Sequence, residues 1–405
     1  MAESENLNTD SLSDSNLVNA SGGTSVRKSA TQIGRWALRL LIGVLVLGGI
    51  GRSIQLAWND IQNTQSKVER RLKELDDLLD TTRDPGRREE LEQDKTEITS
   101  SQMNWDRIRI FWIPISCVAG FFAILMPGIL WWLIIRSFGI QPPFLATQAV
   151  YSIGSLGKYV PGKAMVLILR SAGMRRWDVP ISVSVTGVVV ETLVALSTAG
   201  TLAAVTLSVS HPPQWLFQIS LAASLLSIVP VLPPIFNRLV AEVAKRKQLL
   251  SKKSLASANA NATEQSLIGW KRMSECWFLQ AIGWLFMGTS LFAAVAAVSP
   301  QVLPEGFNAV STSSMSAAFH LWILCIATAS LAFVIGFLSM LPGGAGVREL
   351  IVTLLLAPLV GYAPALAAAV LYRLTNLVSE LSMAGLMTAL TKILVKTRDA
   401  RSRLK

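Results

Sequence analysis

Long apolar runs recur along the 405-residue chain and constrain its fold more than any other feature. Residues 179–209 contain one charged residue, Glu191, and residues 277–299 and 321–347 contain none. A helix needs about 20 apolar residues to cross the hydrocarbon core of a bilayer. Because the runs are too long for barrel strands and backbone in lipid must satisfy its own hydrogen bonds, the sequence predicts an all-α, polytopic transmembrane helical bundle.

These runs divide the chain into five regions. The predicted regions are a disordered polar tail (1–30), a first transmembrane helix (31–58), an extramembrane segment (59–107), the transmembrane bundle (108–395) and a basic cytoplasmic tail (396–405). The spans themselves are expected at about 36–58, 108–135, 179–209, 214–236, 277–298, 318–341, 346–361 and 364–391.

The net charge of +11 is concentrated at the ends of the apolar runs. Cytoplasmic loops of membrane proteins carry an excess of Lys and Arg. The loop 237–275 and the C-terminal tail are basic, whereas the segment 59–107 has no basic excess. We therefore expect a multi-pass protein of the cell (inner) membrane, with both termini cytoplasmic and segment 59–107 on the opposite side. The basic residues have this topological explanation, so we expect no nucleic acid partner.

Within that segment, residues 66–100 show heptad spacing that is interrupted at Asp84-Pro85-Gly86. Charged residues fill the positions between the apolar ones, which predicts a short antiparallel helical hairpin outside the bilayer. The pattern leaves two roles open, a solvated spacer or a coiled-coil-like element for docking and self-association. The apolar seam consists of Val68, Leu72, Leu75, Leu79, Leu91 and Ile98.

Side chains that commonly hold metals or perform acid–base catalysis are sparse. Cys117, Cys276 and Cys325 lie in or beside apolar runs without a CxxC pair, and His211 and His320 are isolated. The sequence therefore predicts no disulfide framework, metal site or cofactor, and it offers no catalytic residue.

A basic Pro-Gly motif interrupts the apolar run 144–172. Pro161 and Gly162 disfavour a helix, so one helix should end and another begin there. Such a restart exposes free amide groups and the positive end of a helix dipole. The pattern predicts two re-entrant half-helices lining a protein cavity; a basic cytoplasmic loop is the alternative. Lys158, Lys163 and Arg170 are the candidate anion ligands, the last two sharing one helix face.

A second break lies at residues 342–349, which read PGGAGVRE. Glu349 suits the first turn of a helix, whereas Arg348 does not unless it binds an anion. A tight loop with solvated charges is the alternative. Because one broken element in each half of a membrane protein is typical of a transporter site, we expect Pro161 and Pro342 to lie close together.

Isolated charges inside the spans complete the candidate set. A charge in the bilayer usually faces a cavity or an oppositely charged partner. Glu191 and Arg373 are therefore added to the predicted substrate-binding residues, and Glu380 lies two turns after Arg373. A structural ion pair between helices is the alternative explanation for these charges.

Both broken elements resemble motifs of a known family, the transmembrane region of lysylphosphatidylglycerol synthases and their stand-alone flippase-like relatives. The resemblance covers about residues 108–395. The chain departs from it in the central span, where Glu191 stands alone and is followed by Thr192, and in its insert at 59–107. The matching residues are Lys158-Tyr159-Val160-Pro161-Gly162-Lys163 with Arg170, the 342–349 motif, and Tyr372-Arg373-Leu374.

The resemblance implies a membrane lipid translocase or flippase. Its substrate would be a phospholipid or polyprenyl-linked lipid whose anionic head group binds at the two breaks. The chain ends at Lys405 without the soluble aminoacyl-transfer domain of full-length synthases, so we expect the lipid-translocating part and no transferase activity. The alternative is a non-transporting partner that presents lipid to a separate glycosyl- or aminoacyl-transferase. An intramembrane transferase would require Glu191 or Glu349 as its base or nucleophile.

Overall fold

The structure is a computed structural model that describes residues 66–100, 108–159, 164–210, 269–299, 312–339 and 341–402. It also describes isolated residues within 55–63 and 214–238. Over these residues the chain is almost entirely helical and contains no strand, and six helices are long and apolar enough to cross a membrane. The predicted all-α, polytopic fold class is therefore confirmed.

The helices that the structure describes are labelled in chain order. They are α1 (66–81), α2 (Pro85–Ser100), α3 (Trp112–Ser137), α4 (Phe144–Ser155), α5 (Ala164–Met174), α6 (Ile181–Ser210), α7 (Trp270–Val298), α8 (Thr312–Leu338), α9 (Val347–Val360) and α10 (Tyr362–Ser402).

Six predicted spans correspond to α3 and to α6 through α10. The predicted span 36–58 lies outside the described residues, and only isolated residues of the span 214–236 are described. Short 3-10 turns connect some of the helices, at Leu156–Tyr159, Arg175–Trp177 and Pro342–Gly344.

The helices α1 and α2 form the hairpin that the heptad spacing predicts. Leu75 on α1 and Leu91 on α2 are buried. Lys95 Nζ on α2 lies 2.5 Å from Asp76 Oδ1 on α1. Pro85 is the first residue of α2, a position where its missing N–H costs no helical hydrogen bond. The side of the membrane on which the hairpin lies, and its role in self-association, stay predictions.

Small polar side chains hold α3, α7 and α10 together in the bundle. The Ser116 hydroxyl contacts the Ser290 carbonyl oxygen and the Thr375 hydroxyl, both at 2.8 Å. The Ser379 hydroxyl donates to the carbonyl of Cys117 at 2.7 Å. Transmembrane helices commonly associate through such small residues and interhelical hydrogen bonds. These contacts fix the position of α10, which contributes Tyr372, Arg373, Asn376 and Glu380 to the functional site described below.

The helices α4 and α5 are too short to span a membrane. They contain 12 and 11 residues, which corresponds to about 18 and 16 Å of the roughly 30 Å required. They contact each other, and a Cβ on Gly157 would lie 2.9 Å from the Val166 backbone nitrogen, so the close approach requires glycine. This confirms the broken-helix architecture; Pro161, Gly162 and Lys163 lie outside the described residues.

Candidate functional site

Two turns that lie beside the predicted helix breaks meet at one place in the bundle. The turn Leu156–Tyr159 contacts the turn Pro342–Gly344. Gly343 has a φ of 59°, a left-handed conformation that favours glycine, and a Cβ there would lie 3.4 Å from the Tyr159 ring. The turn Leu156–Tyr159 therefore adjoins the turn that begins at Pro342. Pro161 lies outside the described residues, so its expected proximity to Pro342 stays a prediction.

A cavity of about 640 Å³, partly open to its surroundings, lies beside these turns. The turns, α7, α8, α9 and α10 line it. The charged residues in its lining are Lys158, Arg348, Glu349, Arg373 and Glu380. The lining therefore has one positive charge in excess.

Both carboxylates of the cavity form ion pairs with cavity cations. Glu380 pairs with Lys158, and Glu349 pairs with Arg373. The second oxygen of Glu349 accepts the backbone N–H of Gly346 at 2.9 Å. This bond caps the start of α9, which explains why a glutamate stands in that first turn.

Arg348 is the cavity cation for which the structure shows no acidic partner within the described residues. Its guanidinium lies over the Phe333 ring, 5.1 Å from the centroid, and its buried Nε has no hydrogen-bond partner. A Cβ on Gly336 or Gly344 would lie within 3 Å of the Arg348 side chain. Two glycines and an aromatic ring therefore form a slot for this arginine, beside a helix start where a cation is unfavourable.

Arg170 and Glu191 form a second buried network away from the cavity lining. Arg170 Nη1 lies 2.5 Å from Glu191 Oε2, and Tyr151 donates its hydroxyl to Glu191 Oε1 at 3.0 Å. The Arg170 guanidinium also donates to Ser155 Oγ at 3.0 Å and lies over the Tyr151 ring. These contacts join the half-helices α4 and α5 to α6.

The predicted substrate-binding residues thus fall into two groups. The structure brings four of them together in the cavity and places Arg170 and Glu191 in the second network. Lys163 lies outside the described residues. The four cavity residues are Lys158, Arg348, Glu349 and Arg373.

Several cavity residues were absent from the predicted set. Tyr372, Asn376 and Glu380 follow one another at helical spacing along α10 and contribute polar atoms to the lining. This row of polar residues on one face of an apolar helix is visible in the sequence, so it could have identified them as site residues. Trp284 and Phe333 also line the cavity, but nothing in the sequence distinguishes them from other aromatic residues in spans.

The network around Arg170 depends on a close approach at Gly154. A Cβ there would lie 2.3 Å from Arg170 Cγ, and Arg170 is held by Glu191 and Ser155. We expect Gly154→Ala to lower the free energy of unfolding by about 1–3 kcal/mol through overpacking. Thermal unfolding of the purified protein in detergent measures this effect.

Gly385 supplies the matched control for that substitution. It also lies inside a helix, α10, but a Cβ there has no neighbour within 4 Å. Gly385→Ala should stabilise the protein by about 0.4–1 kcal/mol, because alanine has less freedom in the unfolded chain. Equal unfolding midpoints for the two variants would contradict the tight packing at Gly154.

The fold and the cavity define a multi-pass helical membrane protein whose broken helices border an internal charged site. A family model described as the lysylphosphatidylglycerol synthase TM region matches residues 93–381, more than half of the chain, so the protein belongs to this family. The match begins inside α2, earlier than the resemblance at 108–395 indicated, and it includes every charged residue of the cavity. No curated protein matches the chain.

Proposed function

We propose that this protein binds the phosphate of a membrane-lipid head group in the cavity and moves that lipid across the bilayer. The observation that carries this proposal is Arg348, a half-buried guanidinium without an acidic partner in the described chain, in a cavity whose lining is positively charged. A buried charge without a partner is costly. An anionic ligand is the simplest group to supply that partner.

Phosphate suits the chemistry of this position. Arginine presents a planar fork of donors that binds phosphate oxygens in pairs. Arg348 stands in the first turn of α9, where backbone N–H groups and the helix dipole also favour an anion. Phe333 and the other apolar lining residues leave room for the uncharged part of a head group, while acyl chains would remain in lipid.

The predicted orientation supports uptake from the cytoplasmic leaflet. The basic loop 237–275 and the basic tail favour a cytoplasmic location for the start of α7 and the end of α10. The turn Pro342–Gly344 then follows the cytoplasmic end of α8, and the turn Leu156–Tyr159 contacts it. A head group from the inner leaflet would enter at that side.

An intramembrane transferase fits the site less well. Such an enzyme needs a base or nucleophile beside the bound anion. Glu349 is engaged by Arg373 and by the Gly346 N–H, and Glu191 is engaged by Arg170 away from the cavity lining. Both carboxylates that the sequence analysis named for this role are therefore held in ion pairs.

Two assays on the purified full-length protein test the proposal. The first measures binding of dioctanoyl phosphatidylglycerol in detergent. The second reconstitutes the protein into liposomes and follows transfer of a fluorescently labelled phosphatidylglycerol between leaflets by chemical quenching of the outer leaflet. We expect saturable binding, and faster transfer than in protein-free liposomes.

The outcomes separate the candidate functions. Binding without transfer would support the alternative, a partner that presents lipid to a separate transferase, for which the hairpin α1–α2 is a candidate docking or self-association element. Absence of binding in the parent protein would refute the head-group site itself.

A further inference from the structure

The charged side chains of the cavity lining leave a single positive charge in excess. Among the described residues of the lining, Lys158, Arg348 and Arg373 are cations, and Glu349 and Glu380 are anions. The two carboxylates pair with Arg373 and Lys158, so the excess corresponds to Arg348. One bound group with one negative charge therefore makes the lining neutral.

We infer that the cavity selects lipids whose head group carries one net negative charge, and that the ion pair Lys158–Glu380 sets this limit. Because this selection rests on the proposed function, it concerns lipids rather than free anions. A phosphodiester with an uncharged polar group, as in phosphatidylglycerol, meets the condition. A phosphomonoester or a diphosphate bridge carries about two negative charges, and a phosphodiester with an ammonium group has no net charge.

Burial of the lining makes an unbalanced charge costly. The side chains of Glu380 and Glu349 are 6% and 12% exposed, and Arg348 Nε is buried. Water and salt therefore screen these charges only weakly. A head group with two negative charges leaves one of them unbalanced, and a head group without net charge leaves the excess of Arg348 in place. Both complexes retain an uncompensated charge, which disfavours them.

Glu380 is the carboxylate that sets the charge of the lining without capping a helix. Glu349 accepts the backbone N–H of Gly346 at the start of α9, so its removal would also change the helix start. Glu380 lies well inside α10, far from either end of that helix. It neutralises Lys158, a residue of the turn that precedes α5. Substitutions at this pair therefore change the number of charges and leave the helix ends of the site intact.

Proton binding limits how strongly a phosphomonoester is excluded. Its second pKa is roughly 6, so at pH 8 about one molecule in a hundred carries a single negative charge. Entry in this form lowers the apparent affinity by about a hundredfold at most. A unit charge left unbalanced at several Å in a weakly screened site lowers it by about tenfold or more. We therefore expect dioctanoyl phosphatidic acid to bind roughly ten- to a hundredfold more weakly than dioctanoyl phosphatidylglycerol at pH 8.

Competition binding on the purified full-length protein in detergent at pH 8 tests this selection. Dioctanoyl phosphatidylglycerol, phosphatidylethanolamine and phosphatidic acid each displace a fluorescently labelled phosphatidylglycerol. The head groups of these competitors carry one, no and about two negative charges. Because the head groups also differ in size, the deciding quantity is the change in each affinity ratio when the lining is altered by substitution.

Three variants change the charge of the lining in known steps. Glu380→Gln adds one positive charge to the excess and should shift the affinity ratio about tenfold in favour of phosphatidic acid over phosphatidylglycerol. Lys158→Met removes the excess and should shift the ratio about tenfold in favour of phosphatidylethanolamine over phosphatidylglycerol. The double variant restores the parent's charge, so both ratios should return to the parent's values even if every affinity falls.

Glu275→Gln is the matched control, because Glu275 also pairs with a cation, Arg272, but lies outside the cavity lining. It should keep the parent's affinity ratios. If Glu380→Gln does not fold, Lys158→Met still decides, since it changes the charge in the opposite direction.

The outcomes distinguish the selection from the proposed function. Ratios that stay at the parent's values in both single variants would overturn the selection and leave the proposed function intact, whereas no binding of any lipid by the parent would refute both. A double variant that does not return to the parent's ratios would show that local contacts, rather than the charge of the lining, decide. Equally tight binding of glycerophosphoglycerol, the same head group without acyl chains, would overturn the assignment to a lipid.

Discussion

Arg348→Met is expected to weaken binding of dioctanoyl phosphatidylglycerol by roughly ten- to a hundredfold, the effect of losing one charge-assisted contact. Thermal stability should stay equal or increase, because the arginine has no acidic partner in the described chain and its Nε is buried without an acceptor. Methionine keeps the long apolar stem that packs against Gly336 and Phe333. Isothermal titration and thermal unfolding of the same preparation measure both effects.

Arg136→Met provides the control for this substitution. Arg136 also lies over an aromatic ring, that of Trp132, at 4.5 Å from the centroid, but it is exposed and outside the cavity lining. It should bind lipid like the parent. If Arg348→Met lost stability together with binding, Arg348 would be a structural residue; if it lost neither, the cavity would not be an anion site.

The fold could largely be predicted from the sequence, because each pattern that indicates it lies in a continuous stretch of the chain. Apolar length predicts the spans that became α3 and α6 through α10, and heptad spacing with Asp84-Pro85-Gly86 predicts the hairpin. Proline and glycine mark the interruption after α4 and the turn before α9. Each of these features depends on one continuous stretch of sequence.

The site could be predicted only in part, because its ion pairs join residues that are far apart in the sequence. Lys158 and Glu380 are 222 positions apart, and nothing local indicates that they meet. Arg170 illustrates the limit most clearly. Its spacing from Lys163 indicates a shared helix face, but not that this arginine turns to Glu191 on α6. The orientation of α5 is set by packing at Gly154 and Gly157, which is a property of the assembled bundle.

Arg170→Met is expected to lower the free energy of unfolding by about 3–5 kcal/mol, the typical effect of removing one partner from a buried ion pair. Its side chain is 4% exposed, and its loss leaves Glu191 buried with only the Tyr151 hydroxyl as partner. Lipid affinity of the molecules that remain folded should be nearly unchanged, because Arg170 does not line the cavity. Thermal unfolding in detergent and lipid titration of the folded fraction separate these effects.

Two further variants test the cause of that destabilisation. Adding Glu191→Gln to Arg170→Met removes the unpaired charge while keeping an acceptor for Tyr151, so the double variant should recover much of the lost stability. Arg272→Met breaks a pair of similar length, 2.6 Å, whose side chains are 35% and 37% exposed, and should cost less than about 1 kcal/mol. If the double variant were no more stable than Arg170→Met, the arginine would act through packing rather than charge. If Arg170→Met instead stayed stable and lost lipid binding, Arg170 would belong to the head-group site that the sequence predicted.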